Sequence, residues 1–188
     1  MEQPYNEIKT GMAMPLVAVV TNPLSTSNQR RLPKIRSTID AAQNVIHFEL
    51  NSIDDIDEAL ALFARANPSI IVLNAGDGTV GAVLAALLYR NPFDVTPPIA
   101  ILPGGKTNMT AADLDLSGKP EKALEKLLRL AKSGYLDQCL TRRNLIEMDM
   151  GDGKEPKVGL FFGAASIVKS IDWCRENIYP RGLPNVIS

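Results

Sequence analysis

An aspartate set between two glycines, Gly76-Asp77-Gly78-Thr79, follows the apolar run Ile70-Ile-Val-Leu73. Small residues at such a strand end let the backbone approach a ligand closely, and the amides that open the next helix, expected from Thr79 or Val80, attract anions. Asp77 repels a phosphate, so two readings stand for it. It holds Mg²⁺ or orients a donor beside phosphates, or it caps an ordinary strand-to-helix turn. A second segment, Gly104-Gly105-Lys106-Thr107-Asn108, follows the apolar run Pro98-Ile-Ala-Ile-Leu102. It adds a cation that neutralises phosphate and an amide that both donates and accepts. It is not a Walker loop, because the GxxxxGK[ST] spacing is absent. A third segment, Asn22-Pro23-Leu24-Ser25-Thr26, closes the run Leu16 to Val20.

These segments need a frame that brings strand ends together. Four short apolar runs, Leu16 to Val20, Val45 to Leu50, Ile70 to Leu73 and Pro98 to Leu102, alternate with helical patterns. That order predicts an α/β fold, a parallel sheet flanked by helices on both faces, with ligands beyond the carboxyl ends of the strands. The helices are expected over 29–42, with Pro33 in the first turn, from a capping box at Ser52 and Asp55, over 80–90, and from Pro120 to Gly134. After Gly134 the pattern changes. Residues 135–141, 144–150 and 157–163 read as strands without intervening helices, with a turn at Gly151-Asp152-Gly153, and a helix follows over 165–177. The expected division is a nucleotide-binding lobe over 1–134 and the beginning of an antiparallel second lobe over 135–188.

The three segments together resemble a known family. Asn74-Ala-Gly-Asp-Gly-Thr79 is similar to the GGDGT signature of the diacylglycerol kinase catalytic-domain family, which includes sphingosine kinases and bacterial lipid kinases and is distantly related to NAD kinases and phosphofructokinases. Ile101-Leu-Pro-Gly-Gly-Lys-Thr-Asn108 resembles its later L-P-x-G-T-x-N loop, and Asn22-Pro-Leu-Ser25 its N-P-x-S-G strand end. The resemblance implies ATP-dependent phosphoryl transfer to a lipid hydroxyl. Asn22 and Ser25 would then lie beside the nucleotide, Gly76, Gly78 and Thr79 would wrap its phosphates, and Asp77 would work with Mg²⁺. Gly105, Lys106 and Asn108 would complete the cleft, with Arg30 or Arg31 reaching in from the first helix. The departures are Ala75 for the first glycine of GGDGT, Thr26 for a glycine, Gly81 and Ala82 for a polar pair, and Met109 for an aspartate. Asp152 sits at a hairpin tip, so nothing matches the family's general base. An NAD kinase-like enzyme and a nucleotide-binding protein without catalysis are the alternatives.

Composition narrows the classes. Twenty Lys and Arg against 21 Asp and Glu give a net charge of −1, so no overall basic balance points to nucleic acid. Membrane contact is accordingly expected to be peripheral and weak, at the surface that presents the lipid substrate. A single histidine, His47, excludes two-His zinc motifs and reads as a packed strand residue. Cys139 and Cys174 form no CxxC and fit a cytoplasmic setting as ordinary thiols. No apolar run is long enough to span a membrane. Trp173, Ile167 and Ile171 read as core, or as a lipid-facing surface. Strands of a partial second lobe leave unpaired edges, so the chain is expected either to lack part of that lobe or to form a homodimer that covers them.

Overall fold

The computed structural model of the protein describes residues 14–162. The expected helix over 165–177, with Trp173 and Cys174, lies outside them. Strands β1 (Val17–Thr21), β2 (Val45–Glu49), β3 (Ile70–Ala75) and β4 (Ile99–Pro103) form one parallel sheet in the order β2-β1-β3-β4. Val17 faces Val45 on one side and Ile70 on the other, and Ile71 faces Ile99. The chain leaves β1 for β2 on one side and leaves β3 for β4 on the other, so the β1/β3 boundary is the topological switch point.

Both faces of the sheet are covered, as the continuous apolar runs require. Ala18, Val20, Ile71, Leu73 and Ile101 meet α2 (Ile56–Ala66) and α3 (Asp77–Tyr89). Val17, Val19, Ile70, Val72 and Leu102 meet α1 (Thr26–Asp40) and α5 (Pro120–Ser133). Local signals set several helix ends as the residues predict. Ser52 and Asp55 form a capping box on a single 3-10 turn, Ile53–Asp55, that leads into α2. Asn67 closes α2 with φ +50, and Gly134 closes α5 with φ +75.

Two helix starts differ from expectation, and in α1 distant partners satisfy the first turn. Helix α1 begins at Thr26, not residue 29, so Pro33 lies inside it rather than in its first turn. The amide of Ser27 donates to the Gly104 carbonyl at 3.0 Å, and the Asn28 side chain is fully buried against the ends of β1 and β3. Helix α3 begins at Asp77, with Gly76 as its N-cap residue, ahead of the expected Thr79 or Val80. A five-residue helix, α4 (Met109–Asp113), follows β4 and has no apolar period long enough to read from sequence.

Beyond Gly134 the expected strand over 135–141 is absent; a 3-10 helix, Leu136–Cys139, stands there. The Tyr135 amide turns back to the Leu130 carbonyl at 3.2 Å, and Leu136 packs against the α1/α5 side of the core, which holds the chain against α5. The antiparallel pair is present but shorter than expected: β5 (Ile146–Met148) and β6 (Lys157–Gly159), with Asp152 at the connecting turn. Strand β6 lies on α3. A Cβ at Gly81 would come within 2.6 Å of the Val158 carbonyl, so the glycine makes room for that strand. Arg90, at the end of α3, joins Asp57 of α2 and Glu155 before β6. Contact with the sheet on one side and β6 on the other explains why α3 is apolar nearly all round.

His47, on edge strand β2, is half-buried, and its Nε2 lies 2.9 Å from Thr21 Oγ1. Burial pulls its pKa below the ordinary 6.5, with Glu49 opposing weakly. The unfolded chain therefore takes up the proton first as pH falls. Stability is expected to decline from about pH 6.5 downward, and His47→Gln should flatten that decline between about pH 7 and pH 5. Urea denaturation across this range checks it; an equal decline in the variant would contradict the assignment.

Candidate functional site

The ends of β1, β3 and β4 meet at one edge of the sheet, and side chains lock their loops together. Asn22 Nδ2 donates to Thr79 Oγ1 at 2.8 Å, across the switch point. The Gly76 amide donates to Ser25 Oγ at 3.1 Å. Ser27 Oγ donates to the Gly105 carbonyl at 2.6 Å. Asn28 Nδ2 donates to the carbonyls of Asn22 and Asn74 at 2.9 and 2.8 Å. Asn74, also fully buried, donates to Thr21 Oγ1 at 3.4 Å. The Oδ1 atoms of Asn28 and Asn74 have no protein partner. Ser27, Asn28 and Asn74 escaped the sequence reading as site residues. An asparagine ending the apolar run Ile70 to Leu73 was the one available signal, because a polar side chain at a buried strand position must be paired.

The loop after β4 closes on itself. Asn108, with φ +55, accepts from the Gly105 amide at 2.7 Å and donates to the Gly105 carbonyl at 3.0 Å. Gly105 in turn lies against the loop after β3: a Cβ there would stand 2.5 Å from Gly76 Cα. No side chain fits at Gly105, and a Cβ at Gly76 would be tight, 3.3 Å from Gly105 Cα.

Of the residues singled out from sequence, six are therefore built into the scaffold: Asn22, Ser25, Gly76, Thr79, Gly105 and Asn108. Asp77, Gly78, Lys106 and Arg30 are exposed around it. Arg31 is committed elsewhere, 2.6 Å from the buried Glu121 of α5. The first bond inside α3 runs from the Val80 amide to the Gly76 carbonyl at 3.0 Å. The amides of Asp77, Gly78 and Thr79 thus have no partner within the helix, and the positive end of its dipole faces the same opening. Asp77 does not cap its own helix. Its carboxylate accepts from the amides of Met109 and Thr110 at 3.3 and 3.2 Å, and so caps α4. A loop pair with amides that lack helical partners, and with a carboxylate and a cation at its rim, can bind a polyanion and its counter-cation.

The glycines are expected to divide by space. Gly105→Ala should cost about 1–3 kcal/mol through overpacking against Gly76. Gly78→Ala, whose added carbon meets nothing within 4 Å, should be neutral or stabilise α3 by up to about 1 kcal/mol. Chemical denaturation of the two variants checks the order; the reverse order would contradict the packing.

Comparison with known proteins places the chain in a family and a fold. The chain is 43% identical over 61 residues to Diacylglycerol kinase 2 of Arabidopsis thaliana, a match covering 32% of this chain and 8% of that protein. A crystal structure of a diacylglycerol kinase from Bacillus anthracis superposes with a TM-score of 0.52 at 24% identity, covering 61% of this chain and 42% of that one. At that identity the likeness speaks for the fold, and the chain spans well under half the length of either relative. Residues 16–135 match the family model described as the diacylglycerol kinase catalytic domain. They contain all three converging loops, and the chain belongs to the diacylglycerol kinase catalytic domain family.

Proposed function

We propose that the three loops form the nucleotide cradle of a lipid kinase, which moves the γ-phosphoryl of ATP to a lipid hydroxyl. The observation that carries this reading is the set of amides at Asp77, Gly78 and Thr79, free of helical partners and next to the Gly105–Asn108 loop. Family membership supports it. The amides would take phosphate oxygens, and Lys106 and Arg30 would supply positive charge at the rim. Asn22, Ser25, Gly105 and Asn108 would act by fixing the loops, which spares the site reorganisation when the nucleotide binds.

Among the described residues no cluster of three or more Asp, Glu, His or Cys could hold a metal alone. One carboxylate with open space around it fits Mg²⁺, which takes one or two protein carboxylates together with phosphate oxygens and water. When bound, Mg²⁺ would neutralise charge on the transferring phosphoryl group. Asp77 would hold it through a carboxylate that also caps α4. The reading assigns no general base among the described residues. It includes the division into a nucleotide lobe over 1–134 and a second lobe from residue 135, and a cytoplasmic protein working at a membrane surface. Among the described residues no helix is long and apolar enough to cross a membrane.

The second reading is a nucleotide-binding protein without turnover. The bonds from Met109 and Thr110 to Asp77 favour it, because they already occupy part of the carboxylate. Calorimetry with ATP should show Mg²⁺-dependent binding. Asp77→Asn keeps an acceptor for α4 but loses the charge, and should weaken binding about tenfold to a hundredfold. Labelled ATP with diacylglycerol in mixed micelles then separates the two readings by whether phosphorylated lipid forms. Binding that ignores both Mg²⁺ and Asp77→Asn would refute this placement of the site.

A further inference from the structure

The near-zero net charge conceals a segregation that the fold makes visible. Helix α1 carries Arg30, Arg31, Lys34 and Arg36 against Asp40 alone. Helix α5, beside it on the same face of the sheet, carries Lys122, Lys126, Arg129 and Lys132 against Glu121 and Glu125. On the opposite face, the 3-10 turn and α2 carry Asp54, Asp55, Asp57 and Glu58 against Arg65. The balance is thus five positive charges (8 − 3) on the α1/α5 pair and three negative (4 − 1) on the other side.

Ion pairing does not cancel the basic face. Arg31, Arg36 and Lys122 pair with Glu121, Glu49 and Glu125. Arg30, Lys34, Lys126, Arg129 and Lys132 are exposed, and among the described residues none of them forms a salt bridge. Apolar residues of both helices point inward, Ile35 and Ile39 from α1 and Leu124 and Leu127 from α5, which leaves the cations outward. A cavity of about 660 Å³ opens between the two helices, with the Ser37 and Thr38 hydroxyls on one wall and Leu128, Arg129 and Lys132 on the other. Glu125 also lines it. Helix α1 begins at the sheet edge that carries the candidate site, where Ser27 bonds to Gly105. The cavity lies at the other ends of α1 and α5, beside Met14, Pro15 and Val17 at the start of β1.

We propose that the α1/α5 face is a docking surface for an anionic phospholipid membrane, with lipid headgroups seated in the cavity between the helices. Charge complementarity and the mixed lining carry the choice of partner. The Ser37 hydroxyl, Arg129 and Lys132 suit a phosphate headgroup, while Thr38 Oγ1 donates to the Lys34 carbonyl at 2.9 Å; Leu128 suits the glycerol and first methylenes. Neither α1 nor α5 contains an aromatic residue, and none lines the cavity, so the face offers no stacking platform for single-stranded nucleic acid. The preference for lipid over polynucleotide rests on the lipid-kinase reading; the existence of the basic face does not. On this proposal the contact is stronger than net charge alone implies, because a membrane meets one side of a protein and not its sum.

Sedimentation of the full chain with phosphatidylcholine vesicles, with and without phosphatidylserine, tests it. Binding should require the anionic lipid and fall steeply with added salt. Lys34→Ala, Lys126→Ala and Arg129→Ala combined should lower partitioning by roughly two orders of magnitude, at about fivefold per cation. These side chains are exposed, so thermal unfolding should match the wild type. Arg65→Ala, which removes the opposite face's cation, should change nothing. Asp77→Asn should also bind vesicles normally, so failure of the nucleotide reading leaves this result intact. Equal binding to neutral vesicles, an unaffected triple variant, or retention by DNA with no binding to anionic vesicles would each overturn the proposal.

Discussion

Everything at the site depends on how closely two loops can approach. The loop after β4 reaches the loop after β3 at a separation that leaves no room for a side chain on Gly105. That contact places the Gly105–Asn108 loop over the start of α3, and it lets Asp77 reach the first amides of α4. The loop after β1 joins the assembly through polar bonds: Asn22 to Thr79, Ser25 to Gly76, Ser27 to Gly105. The buried amide of Asn28 ties two strand ends beneath them. Sheet order supplies the rough placement, since β1 and β3 are neighbours at the switch point. The last few ångströms come from these side chains.

The same arrangement separates two kinds of residue. Those in the scaffold spend hydrogen bonds on fixing the loops, within one loop at Asn108 and between loops at Asn22 and Ser25. Those at the rim, Asp77, Gly78, Lys106 and Arg30, face solvent. Asp77 belongs to both groups, because it caps α4 while remaining exposed. A ligand that draws on this carboxylate is thereby coupled to the segment leading from β4 toward α5. The charge pattern extends the division outward. The cations of α1 and α5 begin where the site ends, and the acids of α2 lie behind the sheet.

Much of this was legible in the residues. Apolar runs closed by Gly, Asn and Pro marked β1, β3 and β4, and the glycines marked where backbones converge. Several misread features share one cause: satisfaction by partners distant in sequence. Thr26 to Asn28 look like turn residues, yet they open α1 because Gly104, Asn22 and Asn74 receive their polar groups. Asp77 looks like a cap for its own helix, yet it caps one more than 30 residues later. Helix α4 is too short to show a period, and the 3-10 turn after Gly134 depends on Leu136 finding the core. Net charge, a sum over the whole chain, carried no trace of where the charges lie.

The central claim is that the amides opening α3 receive a nucleotide's phosphates. Backbone amide NMR of the full chain, titrated with a non-hydrolysable ATP analogue and Mg²⁺, tests it most directly. The account predicts the largest shifts at Asp77, Gly78 and Thr79, with smaller ones at Lys106 and at Met109 and Thr110, whose amides share the Asp77 carboxylate. Saturable shifts confined to the α1/α5 cavity, with the α3 amides unmoved, would contradict it.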